Sequence, residues 1–126
     1  MDNKSFYHTK RWKSKRAFIL RRDGYMSVES RRYGKRVPGE TVHHIFPRDI
    51  FPEYQLADWN LVTITSAEHN QMHERSTGAL TETGLELLKR TARKRGMDLD
   101  AILDRMARSS GLVQSKDKQR DEGPSS

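Results

Sequence analysis

Apolar residues are sparse along this chain, and they fall into groups whose spacing alternates between helical and extended. Between 12 and 22, Trp12, Phe18 and Ile19 sit among basic residues with long aliphatic stems, which fits a short amphipathic helix ending at Asp23-Gly24. Residues 25–29 read as the start of an extended element. Turns at Tyr33-Gly34-Lys35 and Pro38-Gly39 lead into a strand over 40–45, and Pro47 and Pro52 mark a long loop that runs to Asp58. The β-branched segment from Asn60 to Thr65 predicts a second strand. Directly after it, Thr65-Ser66-Ala67-Glu68 has capping-box spacing, which predicts a helix over 66–74. Leu85, Leu88 and Ala92 form the stripe of a helix over 81–95, with Gly96 as its stop and Gly84 as a weak point near its start. Leu99, Ile102, Leu103 and Met106 indicate a last helix over 98–107.

Composition narrows the picture. At 126 residues and 33% hydrophobic content there is room for one modest domain, placed at 11–108 between a flexible basic arm (1–10) and a polar, disordered tail (109–126) ending in Gly-Pro-Ser-Ser. A formal charge of +7 and a pI near 9.9 favour encounter with polyanions. The absence of cysteine excludes disulfides, thiolate zinc ribbons and cysteine nucleophiles. No apolar run reaches bilayer-spanning length, and Met1-Asp2-Asn3-Lys4 leads into no signal-like stretch, so no membrane role and a cytoplasmic location are expected.

The chemistry concentrates in four of the five histidines: His43-His44, and His69 with His73 four residues on, with Asn60 between the pairs. Three imidazoles can hold a divalent cation while a fourth acts as a base. On a helix, His69 and His73 share one face; on a strand, His43 and His44 point opposite ways, so one can ligate while the other faces a substrate. Lys10, Arg11, Lys13, Lys15 and Arg16, with Arg21 and Arg22, are followed by Arg31, Arg32, Lys35 and Arg36. They can form a phosphate track leading to His43, or an ordinary solvated face. Arg48, close to the histidine pair, is a candidate phosphate clamp. Trp12, Tyr25 and Tyr33 are stacking candidates, with core packing equally open to Trp12 and Tyr33 the best placed for exposure. Trp59 and Met72 read as packing residues, and Asp49, Glu53 and Asp58 as capping or solvated groups. These features together point to a metal-dependent nuclease.

His43, His44, Asn60, His69 and His73, in a strand, loop, strand and helix context over about 40–74, resemble the HNH endonuclease family, whose fold is called ββα-metal. The wording Val42-His43-His44-Ile45-Phe46-Pro47 and the basic N-terminal region further resemble small phage HNH proteins found near DNA-packaging genes. The resemblance implies an α+β fold with a ββα-metal core and flanking helices. It assigns His43, His69 and His73 to the metal, His44 to the general base, and Asn60 to orienting the loop and the base. One divalent ion is implied, with Zn or Ni suited to the three imidazoles and Mg or Mn to turnover. The implied activity is a DNA endonuclease that hydrolyses phosphodiester bonds, nicking one strand and leaving 5′-phosphate and 3′-hydroxyl ends. The implied setting is phage genome processing or packaging, with terminase and portal proteins as partners. A noncatalytic DNA-binding packaging module, an RNA nuclease and a toxin-like nuclease are the alternatives.

One departure stands out. Many small relatives add a zinc site from two Cys-x-x-Cys pairs, and the corresponding positions here are Ser27, Ser30, Thr65 and Glu68. They cannot rebuild a thiolate site. A hydroxyl helix cap contributes about 1 kcal/mol, against roughly 10 kcal/mol or more for structural zinc, so the fold must find support elsewhere, with the helices after Thr81 as the expected source.

Overall fold

Three short polar side chains start three of the helices. The Thr9 hydroxyl accepts from the Trp12 amide and opens α2 (Lys10–Arg22). The Ser27 hydroxyl accepts from the Ser30 amide and opens α3 (Val28–Arg32). Thr65 and Glu68 form the complete capping box at the head of α4 (Ser66–Met72). Each cap satisfies an amide that the first helical turn leaves without an intrahelical partner. The computed structural model describes residues 3–110, so the expected tail lies, from 111 onward, outside the described residues. Before α2 comes α1 (Asn3–Tyr7), and after α4 come α5 (Glu82–Lys94) and α6 (Leu99–Ser110).

The sheet has two antiparallel strands, β1 (Thr41–His44) and β2 (Leu61–Ile64), paired Thr41 to Ile64, Val42 to Thr63, His43 to Val62 and His44 to Leu61. Between them, two single 3-10 turns, Pro52–Tyr54 and Asp58–Asn60, shape the loop. Phe46, Phe51, Tyr54 and Trp59 pack there as an aromatic cluster, with ring centroids 4.9–6.0 Å apart. Trp59 is thus a packing residue of the loop.

Helix α2 closes one side of the sheet. Trp12, Ile19 and Leu20 are buried with Phe6, Val42 and Leu61, and Leu56 packs against them. At the end of α2, Asp23 is buried, pairs with Arg22 at 2.8 Å, and accepts from the Thr63 amide of β2 at 3.0 Å. Arg22 also donates to the carbonyls of Leu61 (2.7 Å) and Asp58 (2.8 Å). The Asp23-Gly24 helix stop is therefore also a clasp on the strand.

Four expectations change. The arm expected over 1–10 forms α1 over residues 3–7, and Phe6 within it is buried because Trp12 offers it an aromatic surface at 5.3 Å. Past Met26, which makes an isolated bridge to Pro38, the chain turns helical as α3 because Ser27 caps it. Phe18, expected on the apolar face of α2, is 42% exposed. It lies six residues from Trp12, about 120° round the helix, which carries it off the buried face. His73 is not on α4 either: the helix ends at Met72 and His73 is extended, at φ −129° and ψ 143°.

The chain divides into two compact units, Met1–Leu88 and Lys89–Ser126, with α5 running across the division. Leu87 and Leu88 are buried in the first, and Ala92 and Ile102 in the second. No helix among the described residues is long and apolar enough to cross a membrane.

Candidate metal centre and base

Strand alternation separates the two adjacent histidines. His43 turns to one face of the hairpin, where its ring centroid lies 5.4 Å from that of His69 and 5.5 Å from that of His73; those two are themselves 5.5 Å apart. One ligating atom from each of the three falls within 4.8 Å of the others, the only such group among the described residues. His43 is 1% exposed, and neither of its ring nitrogens has a hydrogen-bond partner. A buried polar atom with no partner is costly in a folded protein, and here it belongs to a triad of neutral nitrogen donors. These three residues fit a divalent ion. Burial, and then the neighbouring His69, His73 and His44, push the His43 pKa down to about 3. Burial and His73 lower that of His69 as well. Both shifts favour the neutral imidazole, the form that ligation requires.

The ligands are held by different means. His69 rides on α4, whose start is fixed by a knot of hydrogen bonds around Glu68. The Glu68 carboxylate accepts from the Ser27 hydroxyl (2.6 Å), the Ser30 hydroxyl (2.7 Å) and the Thr65 amide (2.9 Å). Desolvation works to raise its pKa, but the bonds from Ser27, Thr65 and Ser30 outweigh it and the net shift is downward. Ser27, Ser30 and Thr65 thus close on one another through the Glu68 carboxylate. His73 is placed by a tight loop. Its Nδ1 lies 3.1 Å from the Gly78 carbonyl, which can only accept, so Nδ1 carries the proton and Nε2 keeps its lone pair. A bridge to Leu80, with the Thr81 amide donating to the Met72 carbonyl at 2.9 Å, closes this loop. A Cβ at Gly84 would lie 2.5 Å from the same carbonyl oxygen, so only glycine lets α5 approach here.

His44 occupies the opposite face. Its Nε2 is 3.0 Å from the Gln55 carbonyl, which fixes the proton on Nε2 and leaves Nδ1 as the acceptor. Trp12 stacks on the imidazole at 5.1 Å and 21°, with Phe6 and Tyr7 at 6.0 and 6.3 Å. Burial, with smaller contributions from Arg48 and His69, lowers the His44 pKa to about 4 against the opposing Gln55 bond. Asn60 is fully buried: its Oδ1 accepts from the Phe46 amide (2.7 Å), and its Nδ2 donates to the carbonyls of Phe46 (3.2 Å) and Tyr54 (3.1 Å). It makes no bond to His44; it ties Phe46 to Tyr54 within the loop that carries Gln55. Sequence reasoning missed Gln55 and Gly78, since a backbone carbonyl leaves no mark in residue type. Phe6 and Tyr7, two aromatics in a polar segment, were the available signal for the cover over His44.

The cations divide. Lys15 pairs with Asp58, Arg16 donates to the Glu40 carbonyl (2.7 Å), Arg31 to the Asp23 carbonyl (3.0 Å), and Arg32 to Glu29 (3.3 Å). Arg48 donates to the Gln55 side chain (3.0 Å) and lies over the Phe6 ring at 4.0 Å. Lys10, Arg11, Lys13, Lys35 and Arg36 are exposed and make no ion pair or side-chain hydrogen bond among the described residues.

No protein-family model and no curated protein matches the chain. Among solved structures, the chain is similar to the HNH endonuclease of the deep-sea thermophilic bacteriophage GVE2, crystallised with manganese ion. The identity is 28% and the TM-score 0.52, over 53% of this chain and 73% of that one. This likeness supports a nuclease and, with the histidine triad, a divalent metal. A helix-flanked strand pair and a following helix that gather His43, His69 and His73, without any cysteine, make this an α+β chain with the ββα-metal fold of the HNH endonucleases.

Proposed function

We propose that the chain is a metal-dependent DNA endonuclease that hydrolyses phosphodiester bonds, one strand per event. The observation that carries this reading is the division of labour across β1: three histidine donors within 4.8 Å on one face, and on the other a fourth histidine whose tautomer is set by a backbone carbonyl. A divalent ion held by His43, His69 and His73 would supply positive charge against a non-bridging phosphate oxygen and the leaving 3′ oxygen. His44 Nδ1 takes the proton of the attacking water, and the Gln55 carbonyl holds the resulting imidazolium through Nε2. Phe6, Tyr7 and Trp12 fix the ring and keep bulk water from it. Asn60 keeps the loop that presents Gln55 in shape. The products are 5′-phosphate and 3′-hydroxyl ends. Zn or Ni suits tight binding by three imidazoles and Mg or Mn suits turnover. The GVE2 enzyme, which was crystallised with manganese, favours Mn.

Lys10, Arg11, Lys13, Lys35 and Arg36 contact phosphates directly in this reading, while Lys15, Arg16, Arg31, Arg32 and Arg48 shape the surface around them. The setting proposed for this activity is phage genome processing or packaging in the host cytoplasm, with terminase and portal partners; the similar solved structure is a bacteriophage protein, and the partners rest on the sequence resemblance.

The test is cleavage of supercoiled plasmid by metal-stripped protein with Mg, Mn, Ni or Zn restored. His44→Ala should lower nicking at least ~100-fold while retaining metal binding, and His73→Ala should weaken metal binding itself. Salt-sensitive DNA binding with no cleavage under any metal would replace this reading with a noncatalytic packaging module.

A further inference from the structure

The exposure of Phe18 has a counterpart beside it. An open groove of about 660 Å³ lies along α2, with Lys10, Phe18, Arg21 and Leu56 among its lining residues. Lys10, Ser14, Phe18 and Arg21 follow at intervals of four, four and three, so they share one helical face. Lys10 and Arg21 stand about 16 Å apart along the axis, at 1.5 Å per residue. The other lining cations are Arg11 and Lys15. Lys15 is held by Asp58 and leans over the Phe18 ring at 5.4 Å, which leaves Lys10, Arg11 and Arg21 unpaired among the described residues.

An exposed aromatic ring among cations chooses among polyanions. A duplex turns phosphates and sugars outward and leaves an exposed aromatic ring unused. An unpaired strand presents bases as well as phosphates, and bases stack on aromatic rings regardless of sequence. The groove's lining residues adjoin in sequence the residues that surround His44. Arg11 precedes Trp12, which stacks on His44, and Leu56 follows Gln55, whose carbonyl holds His44.

We infer that this groove binds a single-stranded segment of DNA, with a base stacked on Phe18 and the backbone on Lys10, Arg11 and Arg21. The preferred substrate is then DNA with an unpaired strand next to the cut, such as a flap, gap or frayed end. This inference rests on the nuclease reading for its meaning and on binding alone for its test.

The test is fluorescence anisotropy of the full chain, in EDTA to prevent cleavage, with a labelled 12-nucleotide mixed-sequence single strand and the duplex of the same sequence. The single strand should bind more tightly. Phe18→Ala should weaken it about tenfold and leave duplex affinity nearly unchanged. Lys10→Gln/Arg11→Gln/Arg21→Gln should lower its log–log salt slope by about 0.7 per cation removed. Circular dichroism and Mn titration of each variant should match the original chain. Equal affinity for both oligonucleotides, or single-strand binding indifferent to Phe18→Ala in a folded variant, would overturn the groove. Because cleavage plays no part in the readout, loss of the nuclease reading would show only in the plasmid test.

Discussion

His43 is a buried member of the triad and Glu68 a half-buried carboxylate beside His69, and they are stabilised in opposite ways. His43 has two ring nitrogens with no protein partner, whereas Glu68 collects three hydrogen bonds. Glu68→Ala would leave the Ser27 and Ser30 hydroxyls without their acceptor, and should destabilise the chain by about 2 kcal/mol in urea unfolding. The same shifts set a pH dependence for the metal-free protein. The folded pKa values of His43 (about 3) and His44 (about 4) lie below the ordinary 6.5, so the unfolded chain binds more protons on the acid side. Stability should therefore be full above pH 6.5 and decline as pH falls from 6.5 toward 3. Glu68, with its pKa also lowered, adds to the loss below its ordinary 4.5. Thermal melts of metal-stripped protein across this range check the direction; a flat profile between pH 6.5 and 4 would contradict it.

Among the elements, α4 and α5 govern the triad differently. The capping box, set out in four consecutive residues, fixes where α4 begins, and therefore where His69 stands. Nothing so local fixes His73. It depends on the loop closed by Thr81 and Leu80, and on how closely α5 can approach the Met72 carbonyl. Gly84→Ala tests this. In an open helix that change gains about 1 kcal/mol, but here the new Cβ meets backbone. The expected result is a net loss of about 1–3 kcal/mol together with weaker Mn binding, read by unfolding and by calorimetric titration. A stabilised variant with unchanged metal affinity would show that the loop does not position His73.

At the scale of the whole molecule, the +7 charge is less available than it looks, because several arginines are spent on backbone carbonyls. Removing cations of each kind separately should distinguish the two uses. Lys35→Ala/Arg36→Ala should lower the salt slope of duplex binding by about 0.9 per cation and leave stability unchanged. Arg16→Ala should instead reduce stability, by about 1 kcal/mol for its bond to the Glu40 carbonyl, and change the slope little. Equal effects of the two changes on the slope would mean that Arg16 faces phosphate after all.

The four histidines, the two strands around them and the capping box were legible in the residues alone, because their information is local. Strand alternation puts His43 and His44 on opposite faces, and the capping-box spacing of Thr65 and Glu68 marks a helix start within four consecutive residues. The residues 3–7, Phe18 and His73 were misplaced for the converse reason. A single buried ring, Phe6, is enough to hold a short helix against Trp12. A one-third turn puts Phe18 outside, and a helix that ends at Met72, two residues short of the expected 74, leaves His73 extended beyond it. The sequence by itself thus determined which side chains can ligate and which can accept a proton. Only tertiary contact decided how they are held: the carbonyls of Gln55 and Gly78, and the carboxylate that closes the site of the missing cysteines, act through space on residues up to 41 positions away.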